Sequence, residues 1–122
     1  MEKMTLIDVS EYALDIYRDW SILPRKIKRG PPERIDGMTV GILTITQNAP
    51  HGGEVHPDGD EILYVISGKL RVSCDSETDD IILDPGQACI VPKGEWHQVF
   101  VLEPTKLVHI TPGPHGDHRP LD

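Results

Sequence analysis

The stretch "EVHPDGDE" packs Glu54, His56, Asp58, Asp60 and Glu61 into eight residues. Carboxylates and imidazoles are the side chains that move protons near neutral pH and that ligate divalent metals. In an extended strand residues i and i+2 share a face, so Glu54 and His56 point the same way. "HPDGDE" then reads as a turn, with Pro57 at its second position, Asp58 at its third, and Gly59 free to take positive φ. Chain reversal sets Glu61 on the returning strand, roughly opposite His56. Three potential ligands therefore converge from two antiparallel strands. The alternative is an acidic surface hairpin that carries one histidine.

Those residues need strands to hold them, and the flanking sequence supplies them. Short apolar or alternating runs occur at 38–46, 61–67, 69–74, 80–84, 88–92, 97–103 and 106–111, rich in Val, Ile and Leu. Between them stand "SGK", "DPGQ", "PKGE" and "EPT", which read as turns. Short strands between regularly spaced turn signals indicate an all-β sandwich or barrel. In the second half, "DPGQACIVPKGEWHQVF" repeats the device of the first: a buried strand, a tight turn, then His97 at the head of the next strand. Each half thus has a hairpin with a histidine beside its turn.

The ends differ from the middle. "VSEYALDIYRDW" has Ser10 as an N-cap candidate and apolar residues at helical spacing, which predicts a short helix. "PRKIKRG" holds four of the twelve basic residues. It reads either as a solvated linker or as a basic arm meeting an acidic partner surface, such as the second subunit of a dimer. The Pro/Gly-rich tail "PGPHGDHRPLD" is expected to be irregular, with His115 and His118 exposed to solvent. The chain divides into an N-terminal helix and basic arm (1–37), a β-barrel (38–112) and the tail (113–122).

The 122 residues suffice for one domain with one hydrophobic core. A net charge of −8 argues against a nucleic-acid partner, which would want a basic face. No apolar run approaches the roughly 20 residues of a transmembrane helix. "MEKMTLIDVSEY" has no apolar signal segment. Cys74 and Cys89 form no CxxC and read as free thiols of a cytoplasmic protein.

The two hairpins resemble the two motifs of the cupin superfamily. The first motif reads G-x5-H-x-H-x3,4-E-x6-G; His56, Glu61 and Gly68 fit its spacing. The second reads G-x5-P-x-G-x2-H-x3-N; Gly86, Pro92, Gly94 and His97 fit. The match spans roughly 40–112 and implies a double-stranded β-helix, or jelly roll. Three letters depart: Asn48 stands for the leading glycine, Glu54 for the first histidine, and Val101 for the final asparagine. The resemblance implies a metal site of Glu54, His56, Glu61 and His97, two imidazoles and two carboxylates where the family pattern has three histidines and one carboxylate. Glu54 could instead swing to solvent or to the basic arm, leaving a three-residue site.

Two histidines and a carboxylate with open positions is the arrangement of non-haem Fe(II) oxygenases. A second carboxylate adds negative charge and favours Fe(II) or Mn(II), with Zn(II) or Ni(II) also admissible. Burying two carboxylates without a cation would be costly. These expectations lead to a metal-dependent enzyme acting on a small polar metabolite, a dioxygenase before a metal-assisted isomerase or lyase, with Glu54 or Glu61 as the base. A non-catalytic binding or sensor module is the third reading. Strands apolar on both faces, such as "EILYVIS", call for cover by a second copy in a homodimer. His109, in phase with Leu107 and Thr111, lines the substrate pocket if that face looks inward; otherwise it is structural. His51 lies out of phase unless Gly52 and Gly53 bend the strand. Trp96 and Tyr64 should face away from the ligands, and Arg34 reads as an exposed charge.

Overall fold

A computed structural model describes residues 3–121. Within them the chain is all-β, with nine strands and no helix: β1 (Tyr12–Tyr17), β2 (Ile22–Lys26), β3 (Gly37–Ile45), β4 (Glu54–Val55), β5 (Glu61–Cys74), β6 (Ile81–Leu83), β7 (Ala88–Val91), β8 (His97–Gly113) and β9 (Asp117–His118). All pairing is antiparallel. One path runs β2-β1-β3-β8-β4-β9, and β5 pairs with β6, β7 and β8. The long β8 is the seam: it pairs with β3, β4 and β5 and rolls the sheet around a single interior.

Alternation decides what fills that interior. Leu63 and Val65 of β5 point inward, as do Leu70 and Val72 beyond an irregularity, and they pack with Leu83, Cys89, Val91 and Leu107. Ile62, Tyr64 and Ile66 point the other way. The parity changes between residues 65 and 70, where the β5–β8 register shifts. Gly68 sits there at φ +92°, against the Pro104 carbonyl and Thr105, with no room for a Cβ. The fully buried Thr105 hydroxyl accepts the Lys69 N–H at 2.9 Å and donates to the Glu103 carbonyl at 2.8 Å. "SGK" and "EPT", expected as turns, are therefore the two sides of one bulge inside continuous strands. Gly and Pro mark such irregularities as readily as they mark reversals.

The expected N-terminal helix is corrected to strand β1. Ser10 caps nothing: its N–H and hydroxyl both donate to Asp8 Oδ1, at 2.9 and 2.6 Å. Ala13 and Asp15 are buried on alternate positions, a period of two. The inward position is a carboxylate, which hid that alternation from a hydrophobicity reading. Asp15 is satisfied by Arg25, which donates at 2.7 and 3.0 Å, and by the Thr39 hydroxyl at 2.7 Å. Residues 113–121 of the tail are ordered as well. β9 pairs with β4, and Arg119 donates to the Gly52 carbonyl, forks onto Asp75 at 2.6 and 2.7 Å, and lies 4.9 Å over the Trp96 ring. Both cysteines are free. No helix among the described residues is long and apolar enough to cross a membrane.

Candidate metal centre

The four residues of the expected site come together at one end of the barrel. Glu54 lies on β4, opposite His97, the first residue of β8. His56 follows β4, and Glu61 opens β5 after the "PDGD" turn. Two bonds latch this turn to the "PKGE" turn: Lys93 N–H donates to Asp60 Oδ1 at 2.8 Å, and Gly94 N–H to the His56 carbonyl at 3.0 Å. One ligand atom from each of Glu54, His56, Glu61 and His97 lies within 4.8 Å of the others. The side chains of His56, Glu61 and His97 are 5% exposed or less, and Glu54 is 31% exposed on the open side. Glu54 thus turns toward the other three, not to solvent or to the basic arm.

Proton bookkeeping tests whether the group suits a cation. His97 Nδ1 lies 3.3 Å from the Glu95 carbonyl, which can only accept, so Nδ1 carries the proton. A neutral His97 then turns the lone pair of Nε2 inward, 3.0 Å from Glu61 Oε1. Two acceptors at that distance repel unless a cation or a proton lies between them. His56 Nε2 stands 3.3 Å from both Glu54 Oε2 and Glu61 Oε2, an ion-pair distance without hydrogen-bond geometry. Glu61 Oε1 and both His56 ring nitrogens are buried with no hydrogen-bond partner. Buried polar atoms are rarely left so, and two of these, Glu61 Oε1 and His56 Nε2, face the converging donors, while His56 Nδ1 looks toward Gly116. The donors fit a divalent ion.

Titration points the same way. Burial works to lower the His56 pKa, but the neighbouring carboxylates of Glu54 and Glu61 outweigh it and raise it to about 9. Burial would raise Glu61 and Glu54, yet the imidazoles beside them hold Glu61 well below the usual carboxylate range and Glu54 below its own ordinary value. A metal ion needs neutral imidazole, so its binding would compete with the raised proton affinity of His56.

A second layer of contacts fixes the ligands. Thr111 donates to Glu61 Oε2 at 2.7 Å, so its oxygen accepts from His109 Nδ1, also at 2.7 Å. This leaves the His109 Nε2 lone pair against Gly41, its register partner on β3, where a Cβ would collide with the ring. His51 Nδ1 accepts the Gly53 N–H at 3.2 Å, so Nε2 carries the proton and donates to Glu54 Oε1 at 3.1 Å. Gly53, at φ +131°, supplies the bend that brings His51 into play. Such outer partners orient ligands and tune their basicity.

Above the donors lies a cavity of about 490 Å³. Leu43, Ile45, Leu63, Val99, Val101 and Leu107 supply apolar wall; His109, expected as a pocket residue, lines it too. Residues 25–34 form one side, so the basic arm folds over the mouth of its own barrel. Arg34 is half-buried there, not the exposed charge expected. Its helix-free, proline-flanked segment carries no periodic pattern that could have pointed it inward. Tyr64 is exposed, as expected, and Trp96 packs under Arg119 away from the ligands. His115 and His118 are exposed; His115 pairs with Asp58 at 2.8 Å. Asn48 Oδ1 accepts the Val101 N–H at 2.7 Å, so two of the three letters that depart from the motifs bind each other.

A family model described as a cupin domain matches residues 41–111. A structure from Bacillus halodurans is 29% identical, with a TM-score of 0.54 over 69% of this chain and 70% of its own. A cupin-2 domain containing protein from Shewanella frigidimarina is 24% identical, with a TM-score of 0.53 over 67% and 76%. The oxalate decarboxylase of Bacillus subtilis, a protein with Mn(II) centres, is 22% identical, with a TM-score of 0.56 over 66% of this chain and 23% of its own. No curated protein sequence matches the chain.

Proposed function

The chain belongs to the cupin-domain family, and we propose that it is a metal-dependent enzyme acting on a small polar metabolite, a dioxygenase that places both atoms of O2 in its substrate. The observation that carries this reading is the convergence of Glu54, His56, Glu61 and His97 at the floor of a cavity, with acceptor lone pairs facing one another. The same four residues would hold a divalent ion, Fe(II) or Mn(II) before Zn(II) or Ni(II). The Mn(II) centres of the similarly folded oxalate decarboxylase support a divalent metal. Such an ion would supply Lewis acidity or one-electron chemistry at open positions.

The chain's own residues supply the rest. Glu54 is the carboxylate open to the cavity, and His51 holds it there through Oε1. It is placed to take a proton from a bound substrate, and the His51 bond fixes where it receives that proton. The apolar wall lowers the local dielectric and excludes water. A metal-assisted isomerase or lyase is the second reading, favoured by this same placement of Glu54, which can remove a proton at one carbon and return it at another. A non-catalytic binding module is the third.

Oxygen uptake by the Fe(II)-loaded protein, screened over catechols, thiols, diketones and hydroxy acids, tests the dioxygenase. Silence across the panel, with solvent deuterium entering a bound acid by NMR, would move the assignment to the isomerase or lyase. Neither signal leaves a binding module.

A homodimer is part of the proposal. Ile62, Tyr64 and Ile66 of β5 form an outward apolar row, with Ile90 of β7 opposite Ile62 and 68% exposed. Strands apolar on both faces need cover, and a second copy would supply it. The two free thiols agree with a cytoplasmic setting.

A further inference from the structure

Five of the twelve basic residues of this acidic chain line its cavity: Arg25, Lys26, Lys28, Arg29 and Arg34. Two of them are engaged. Arg25 is bound to Asp15, and Lys26 lies 3.9 Å from Glu11. Arg34 is not: among the described residues it has no hydrogen bond and no ion pair.

A half-buried guanidinium with no bound anion is an arrangement the fold has to impose. Packing imposes it. A Cβ on Gly113 would stand 2.7 Å from Arg34 Cβ, so the residue is seated against the end of β8. Burial lowers the Arg34 pKa, yet guanidinium stays charged at any physiological pH. Burial also lowers the pKa of His109, and after burial the nearby Arg34 charge does so most. Glu54 and Glu61 act on Arg34 from beyond ion-pair distance. Arg34 lines the same cavity as Glu54, Glu61, His97 and His109. The same cavity is lined by aliphatic side chains, including Leu43, 38% exposed.

We propose that the cavity binds a small amphipathic carboxylate, its head on the Arg34 guanidinium and its alkyl or aryl body against Leu43, Ile45 and Val101. The planar fork of guanidinium matches a carboxylate bidentately, and an aliphatic wall takes the remaining carbons. A carboxylate held there would share the cavity with the metal donors and Glu54. This names a substrate class for the enzyme proposed above and rests on that reading only for the chemistry, not for the binding. Lys28 and Arg29 at the rim draw an anion toward the mouth of a protein whose net charge would repel it.

The test is calorimetric titration of butanoate, hexanoate and octanoate, and of the three matching amides, into full-length protein. It is run on chelator-stripped protein and on protein loaded with Mn(II), with metal content measured alongside. Each acid should bind at least about tenfold more tightly than its amide in both forms. Each added methylene should tighten binding by up to about fourfold. Arg34→Gln should reduce the acid-over-amide ratio to below about twofold and leave Mn(II) content unchanged; Arg34→Lys should keep part of the ratio. The proposal is overturned if wild-type protein treats acid and amide alike, a comparison that needs no variant. It is equally overturned if Arg34→Gln binds the acids as wild type does, or if acids bind only the Mn(II) form. Failure of wild-type protein to take up Mn(II) would count against the metal reading alone, because the stripped protein still reports on Arg34.

Discussion

Replacing His97 by alanine should remove metal binding and spare the fold. His97 is 3% exposed and contributes one of four converging ligand atoms. Replacing an outer-layer partner typically costs 10–100-fold in metal affinity, so loss of a ligand should cost at least about 100-fold. At a metal concentration 100 times its Kd, the wild-type protein gains about 2.7 kcal/mol of stability. A 100-fold weaker site at the same concentration gains about 0.4 kcal/mol. For a domain of this size the difference corresponds to about 5–10 °C in the thermal midpoint. Without metal the variant should not be badly destabilised, because removing the imidazole also removes the Nε2 lone pair facing Glu61 Oε1. The assay is a thermal melt of chelator-stripped protein and variant over a Mn(II) titration, with metal content read by mass spectrometry. A variant that keeps the metal-dependent shift, or its full metal content, refutes the assignment of His97 and with it the lone-pair argument.

Four further outcomes are expected. Thr111→Val should weaken Mn(II) binding about 10–100-fold by releasing Glu61 Oε2, measured by the same titration. Asp15→Ala should cost about 1–3 kcal/mol in urea unfolding by removing the bonds that Arg25 and Thr39 donate to it, Arg25 keeping the Glu33 carbonyl; burial opposes ionisation of Asp15, but Arg25 and Thr39 hold its pKa below the ordinary value, so its contribution is present above the unfolded pKa of about 3.9 and is lost as pH falls through the folded one. Wild type should then lose stability more steeply than Asp15→Asn below about pH 4. Ile90→Glu should leave the thermal midpoint nearly unchanged while light scattering reports a monomer, and a persistent dimer would move the interface elsewhere.

The site was legible because its spacing is local. Glu54, His56 and Glu61 are separated by one strand step and one turn, and period-two alternation with a Pro-Asp-Gly reversal is enough to face them together. Placing His97 beside them took the family pattern, since nothing local ties residue 97 to residue 61. What stayed hidden depends on pairing. The β1 pattern of Tyr12, Leu14 and Ile16 suits a helix or a strand, and the buried Asp15 that decides it is satisfied by Arg25 and Thr39, partners remote in sequence. Gly68 and Pro104 carry the same letters whether the chain reverses or bulges. Arg34 belongs to an irregular segment whose direction is set by Gly113, nearly eighty positions later.

The latch between the two turns has a thermodynamic side. Glu61 and His97 are held near each other by strand pairing and by two hydrogen bonds between the turns, one to a backbone carbonyl and one to the Asp60 carboxylate, in a chain whose two cysteines form no cross-link. An ion shared by both would close a loop of roughly 35 residues, and a covalent bridge over such a loop restricts the unfolded chain by about 3–5 kcal/mol. The metal would thus act as a removable staple. Its presence would raise the barrier to opening the barrel at this end, and a chelator would return the chain to the looser ensemble without breaking a bond.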